Sequence, residues 1–580
     1  MKWVQRLNPF AMAEEHRFLL LAILIGISGG LLVVCFHVVI EFIRWYLLGI
    51  PVGHGVVRTI LAPAFGGLAG TALIVYVFRS ARGSGVNQTK AAIYISDGIL
   101  PPQTILGKFL ACSLTIGTGN SLGPEDPALQ MGAAAASWLG QVFRLTRDNM
   151  RRIAPVGAAA GLAAAFNTPI TAVLFVMEEV IGSWNAQVLG SIVLSAVSAV
   201  VVSRWFLGNE PLFHVPRFTL THPSELIVYA MIGAVTGLLA ALFTRTAGWL
   251  KSRVAAHPGK VTLYAPMAAG LVVGFVGLWL PQVLGSGYQG IDSALHNRFT
   301  WQFLLALAMA KIVVTLLCFS AGTPGGMFAP TVFTGAMIGG GMGALAQHYW
   351  PAPVSAPSAY VLVGIGTFFA GIFRAPMTSV FMVFEVSASY VIIVPVMVAN
   401  IVSYLVSRRL QPEAFADLIA RHEGLDLPSL EHEREQRALR VEDAMQPPPW
   451  PVLGAESPGP EALELAARLG WGGVLVREGK GAWGWVDSGQ LGEGTLGETA
   501  VPVSAPRLYR DLSLDTALRR FGPFPALPVV SRANADLLVG VLTLADIRRT
   551  YGIAGETGSP MTYGNRNGAP GSESSPASQA

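Results

Sequence analysis

Apolar residues run in long blocks through the first 410 or so positions and break up sharply after them. The stretches 18–40, 60–78, 190–207, 226–248, 264–280 and 302–320 are each long enough, or nearly so, to cross a hydrocarbon core. The run at 18–35 follows Lys2, Arg6 and Arg17, and no small-residue cleavage site comes after it. It therefore reads as a first membrane helix, not a signal peptide, with residues 1–17 cytoplasmic because positive flanks stay inside. From about residue 411 charges become frequent. Residues 426–439 read as a linker, and 440–552 alternate short Val/Leu/Trp runs with helical stretches, the pattern of a small soluble α/β domain. The tail at 553–580 is rich in Gly, Ser and Pro and predicts disorder.

Within the apolar part a unit repeats. Lys108 to Pro127, KFLACSLTIGTGNSLGPEDP, aligns without a gap on Lys311 to Pro330, KIVVTLLCFSAGTPGGMFAP, 203 positions later. Ala62-Pro63 pairs with Ala265-Pro266, and Gly83-Ser84-Gly85 with Gly285-Ser286-Gly287. FNTPITAVLFVMEE at 166–179 pairs with FRAPMTSVFMVFEV at 373–386. Four matches in one order mean a duplicated unit, about 18–208 and 226–410. The matched motifs are Gly- and Pro-rich interruptions of apolar sequence. Lipid tolerates broken backbone only where protein buries it or where it lines a cavity, and transporters built from repeats bind their substrates there.

Composition agrees. Hydrophobic residues make up 52% of 580 positions and charged ones 13%, too few to cover a soluble surface, so lipid is the main solvent. The net charge of +4 is small and spread out, which gives no reason to expect a nucleic-acid partner. Cys35, Cys112 and Cys318 lie in apolar segments, an odd set that predicts neither a disulfide framework nor a metal site. There is no HExxH and no P-loop, so neither an intramembrane metallohydrolase nor an ATP-driven pump is expected, and the chain does not read as an enzyme.

Three of the interruptions have the chemistry of an anion site: Gly83-Ser84-Gly85, Gly123-Pro124-Glu125-Asp126-Pro127 and Gly326-Met327-Phe328-Ala329-Pro330. A mobile anion has to be held without a full countercharge, and backbone N–H groups at helix starts do that. Glycine lets the backbone come close, and proline fits the first helical turn. Glu125 stands in such a segment, inside membrane sequence, where an ionisable group is functional by default. Its repeat partner is Phe328, so the duplicated fold does not require an acid there. Asp126 adds a second carboxylate, and two neighbouring carboxylates out of water cannot both stay ionised without cost. Glu178 has a repeat partner in Glu385, which suggests a shared capping or pairing role, whereas Glu179 faces Val386. Lys108 and Lys311 are repeat equivalents that either bias the potential towards anions or serve a structural partner.

GSGVN at 83–87, GPEDP at 123–127 and GMFAP at 326–330 resemble, in order, the GSGIP, GREGP and GxFxP signatures of the CLC family of chloride channels and transporters. The resemblance runs from about residue 18 to 425. It implies an all-α polytopic protein of many tilted, partly discontinuous helices in two inverted halves. It further implies a homodimer in the cell (inner) membrane, each subunit with its own anion pathway, that moves chloride against protons. On this resemblance Glu125 is the gating glutamate and Glu179 the internal proton-transfer residue, which favours an exchanger over a passive chloride channel. Ser84, flanked by Gly83 and Gly85, falls on the serine that binds the central anion, and Gly326 with the amides of Met327 and Phe328 completes the site. Phe415 falls where the family has a tyrosine and lacks its hydroxyl, a departure that favours the channel alternative. Asn87, Pro124 and Asp126 replace a proline, an arginine and a glycine of the signatures.

Residues 440–552 resemble a degenerate pair of CBS domains, a regulatory module that would lie in the cytoplasm. Gly540 to Asp546, GVLTLAD, fits the G-h-x-[ST]-x-x-D pattern in which Thr543 and Asp546 hold a nucleotide ribose, while the first copy, GWVDSGQ at 484–490, lacks both. A structural dimerisation module is the default expectation, with an adenine nucleotide as the other reading and a nucleotide-sensing scaffold with an inert membrane part as the most distant alternative.

Overall fold

The computed structural model describes residues 14–551 apart from 50–54, 183–185, 210–211, 214, 216–221, 258–260, 352, 426–438, 448–452, 471, 480–481, 500–501 and 533. The N-terminus before Glu14, the expected linker (but for Leu439) and the expected tail lie outside the described residues. The chain divides into two compact units, Met1–Leu427 and Pro428–Ala580.

The first unit is helical. Its first half contains α1 (Glu14–Leu48), α2 (Val56–Ala72), α3 (Val86–Tyr94), α4 (Gln103–Gly117), α5 (Glu125–Val142), α6 (Arg147–Phe166), α7 (Pro169–Phe175) and α8 (Ala186–Leu207). The second half repeats the series as α9 (Glu225–Ala255), α10 (Val261–Trp279), α11 (Tyr288–Leu295), α12 (Trp301–Ala321), α13 (Phe328–Tyr349), α14 (Pro357–Phe373), α15 (Pro376–Ser387) and α16 (Ile393–Leu410), and α17 (Phe415–His422) follows. Among the described residues eight helices are long and apolar enough to cross a membrane. Six carry the stretches read from the sequence, and α13 and α16 add two more.

The two halves are inverted copies about a two-fold relation, and the contacts that show it are reciprocal, residue i touching j and j's equivalent touching i's. Gly123 and Gly326, repeat partners, exchange both backbone hydrogen bonds at 2.8 Å in an antiparallel bridge. A Cβ on Gly67 would lie 2.5 Å from the Pro266 carbonyl oxygen, and one on Gly270 would lie 2.3 Å from that of Pro63. Glu178 accepts from the Thr378 amide at 2.9 Å and hydroxyl at 2.8 Å, while Glu385 accepts from the Thr171 amide at 2.7 Å and hydroxyl at 2.5 Å. Each acid therefore caps the broken-helix start of the opposite half, the shared role its duplication suggested.

That cap yields a prediction. Glu385 also accepts from the Ile170 amide at 2.8 Å, so it satisfies two orphan N–H groups of α7 at once. Glu385→Ala is expected to lower stability by about 2 kcal/mol, and Glu178→Ala by a similar amount. Thermal unfolding in detergent measures it; a loss below about 0.5 kcal/mol for either would show the caps to be dispensable.

Lipid supplies no hydrophobic drive between helices, so close backbone approach and small residues hold them. A Cβ on Gly132 of α5 would meet the Gly157 oxygen of α6 at 2.2 Å, and one on Gly335 of α13 would meet the Gly364 oxygen of α14 at 2.1 Å. These two pairs are repeat equivalents, and they hold α5 and α13, whose starts carry the candidate site.

The second unit is a small α/β domain. Strands β1 (Leu453–Gly454), β2 (Gly473–Gly479), β3 (Ala482–Asp487) and β4 (Val503–Ser504) form one sheet in that order, with β1 parallel to β2 and the other pairs antiparallel. Strands β5 (Ala526–Val530) and β6 (Leu538–Thr543) form an antiparallel pair, and α18 (Leu544–Thr550) follows β6 directly. Val486, Leu453 and Ala462 belong to one core, and Leu514, Val529 and Leu542 to another.

Candidate functional site

Helices α5 and α13 begin at the Gly123/Gly326 bridge, so the two-fold brings both N-termini together. Glu125 is the first residue of α5 and is fully buried. One of its carboxylate oxygens accepts from the Ala329 amide at 3.3 Å, and the other accepts from the Tyr288 hydroxyl. Asp126 is buried beside it and accepts from the Met327 amide at 2.7 Å. The Met327 and Ala329 amides of the GMFAP segment thus already face carboxyl oxygens, both from the first half of the chain. The Phe328 ring packs against Phe175 and Phe373, with centroids 4.7 Å away in each case.

Ser84 sits in the turn before α3. Gly83 and Gly85 have φ of +95° and +105°, a region that side chains with a Cβ rarely enter, which is why the serine is flanked by glycines. The Lys108 ammonium reaches 2.7 Å to the Gly83 carbonyl, and Lys311 binds the Gly285 carbonyl at 2.6 Å and that of Val283 at 2.8 Å. Both buried lysines therefore brace the equivalent GSG turns. Lys108 in addition lines a cavity of about 470 Å³ that reaches Ser84, together with Arg82, Lys251 and Glu423. Three cations against one carboxylate favour anions in that cavity. Lys251 donates to Glu423 at 2.9 Å, and Gln88 donates to the same carboxylate at 2.6 Å.

Glu179 lies in a widened turn, Val176–Val180, where the Ile181 amide bonds five residues back to Val176 at 2.8 Å. Such π-turns cluster at functional sites because they swing one side chain off the regular helix face. The turn directs Glu178 to its cap and Glu179 to Lys90 of α3, 2.5 Å away in a buried ion pair. Phe415 opens α17, buried among Phe319, Phe243 and Phe373 at 5.5, 6.1 and 6.2 Å. In the second unit the Asp546 carboxylate is taken up by Gln446, at 2.8 Å to each oxygen, and by the amide and hydroxyl of Thr543 at 3.1 and 2.6 Å. All three cysteines are free, and no metal-ligating cluster occurs among the described residues.

Comparison with known proteins decides the family. Residues 66–408 match the model of the family described as voltage gated chloride channel. The chain belongs to the voltage-gated chloride channel (CLC) family. A ClcB-like protein of Ralstonia nicotianae is 31% identical over an alignment of 427 residues that covers 70% of this chain and 97% of that one. An H(+)/Cl(−) exchange transporter ClcA of Vibrio vulnificus is 29% identical over 398 residues, covering 66% of this chain and 85% of that one. The fold of a slow cyanobacterial Cl⁻/H⁺ antiporter superposes on 72% of this chain and all of its own length, with a TM-score of 0.66 at 22% identity. This chain is thus a multi-pass membrane protein of the CLC fold with a small α/β unit appended.

Within the CLC frame the structure brings Glu125, Asp126, Gly326, Met327 and Phe328 into one place and sets Ser84 on the cavity wall. Two residues that touch the candidate site escaped sequence reasoning. Tyr288 follows the second GSG, in the place of Val86, and a hydroxyl gained at that repeat position was the available signal. Lys90 offered none, because only the fold brings residue 90 to residue 179.

Proposed function

We propose that this chain is a chloride/proton antiporter of the cell (inner) membrane, in which chloride passes Ser84 and the amides of Met327 and Phe328. Glu125 is the gate and Glu179 the residue that hands protons to and from the inner side. One observation carries the reading: a buried carboxylate, Glu125, rests on the Ala329 amide at the start of an opposing helix. An amide at a helix start is where a free anion would bind, so the carboxylate and chloride compete, and protonation frees the position. The cation-rich cavity at Ser84 supplies the approach, and the relatives named as exchangers support coupling. A homodimer with the α/β unit in the cytoplasm is part of this proposal. The internal bonds of Asp546 favour a structural role for that unit over nucleotide binding.

The passive channel is kept as a second reading on one observation, that Phe415 presents a ring packed among other rings where the family has a hydroxyl. Liposomes loaded with chloride and clamped with valinomycin separate the two. Chloride efflux that drives protons uphill, lost in Glu179→Gln while chloride still moves, is the exchanger result. Chloride efflux with no proton movement in the native protein would make it a channel.

A further inference from the structure

Asp126 does more than neighbour the gate. It is the second residue of α5, 2% exposed, and one carboxylate oxygen accepts from the Met327 amide at 2.7 Å. Its other oxygen is buried with no hydrogen-bonding partner among the described residues. Gly326 makes the approach possible, since a Cβ there would lie 2.7 Å from the bonded oxygen. The helix start does not need an acid at this place, because the repeat equivalent of Asp126 is Ala329, the second residue of α13 in the same fold. The Met327 and Ala329 amides flank that of Phe328, and each is held by a carboxylate of the first half.

We infer that Asp126 is a second tethered anion, which competes with chloride for the Met327 amide as Glu125 does for that of Ala329. The inference rests on the anion-transport reading and deepens it: two carboxylates, not one, have to yield before this row of amides holds chloride. Asp126 is the more easily displaced, since a single amide holds it while Glu125 has both an amide and a hydroxyl. Neighbouring negative charges also repel each other and the incoming ion. The consequence is weak chloride binding in the native chain, set by a side chain rather than by the backbone cradle.

Isothermal titration of chloride into the purified full chain tests this, with Asp126→Ala and Asp126→Asn beside the native protein. A tethered competitor acts at an effective concentration of millimolar or above, so its removal is expected to lower the chloride Kd on the order of tenfold in Asp126→Ala. Asp126→Asn keeps shape and acceptor without charge and is expected to fall between the two. An unchanged or weakened chloride affinity in both variants overturns the inference, while native exchange in liposomes would leave the antiporter reading standing. Native protein that neither binds nor moves chloride, while Asp126→Ala binds it, would keep the competitor and remove the exchanger. Binding by none of the three removes both.

Discussion

Glu125→Gln is expected to leave chloride moving through the protein while coupled proton flux falls on the order of a hundredfold or more, to the leak of empty vesicles. Glutamine keeps the size of the side chain and one acceptor oxygen, enough to keep the bond from the Ala329 amide, while its NH2 group replaces the oxygen that accepts from the Tyr288 hydroxyl. It carries no charge and takes up no proton, so it neither competes with chloride as an anion nor ferries a proton past the bridge of Gly123 and Gly326. Chloride flux should also lose its dependence on pH over the range in which the native protein responds. Simultaneous recording of chloride and pH outside liposomes reads both quantities at once. Uphill proton movement that survives in Glu125→Gln would assign the proton to another carboxylate, and Asp126 is the one beside it.

Lys90→Met is expected to cost about 3–5 kcal/mol of stability, because it strands a buried carboxylate. Lys90 and Glu179 are 3% and 8% exposed and 2.5 Å apart, so neither ion has water to fall back on. Removing both charges is a different operation from removing one: Lys90→Met with Glu179→Gln leaves no ion to strand and is expected to recover most of the loss. The difference, a coupling of about 2 kcal/mol or more, is measured by unfolding the native protein, both single variants and the double in detergent. A single variant within about 1 kcal/mol of the native protein would show that the pair is solvated in practice. Proton flux in the double variant then reports on Glu179 without the complication of a damaged fold.

Much of this was legible in the chain and some was not, for physical reasons. The duplication was visible because glycines and prolines recur at the broken helices of both halves; three of the four matched segments meet at the two-fold, and the lysines of one of them brace the fourth. The six most apolar spans were visible because lipid faces them on one side. Helix α13 was missed as a span although it is long and apolar enough to cross, since it is wrapped by protein and rich in Gly, Ala and Thr, whose packing replaces hydropathy. Helix α16 was missed because Pro395, Asn400, Ser403 and Ser407 turn inward and interrupt the apolar run. In the site, Glu125 and Asp126 were legible as acids in the wrong solvent. The Met327 amide was legible as part of an anion site, but its bond to Asp126 and that of the Ala329 amide to Glu125 were not, because only the fold brings groups 201 and 204 residues apart together.

The exchanged caps bear on how such a chain is made. Glu178 binds Thr378, 200 residues ahead, and Thr171 waits for Glu385, 214 residues ahead. At a translation rate of about 5–20 residues per second, the first half leaves the ribosome roughly 10–40 s before its caps exist. During that interval the start of α7 lacks its Glu385 cap and Glu178 lacks Thr378. The nascent first half therefore cannot complete these caps alone, and the exchange closes only once the second half has been made.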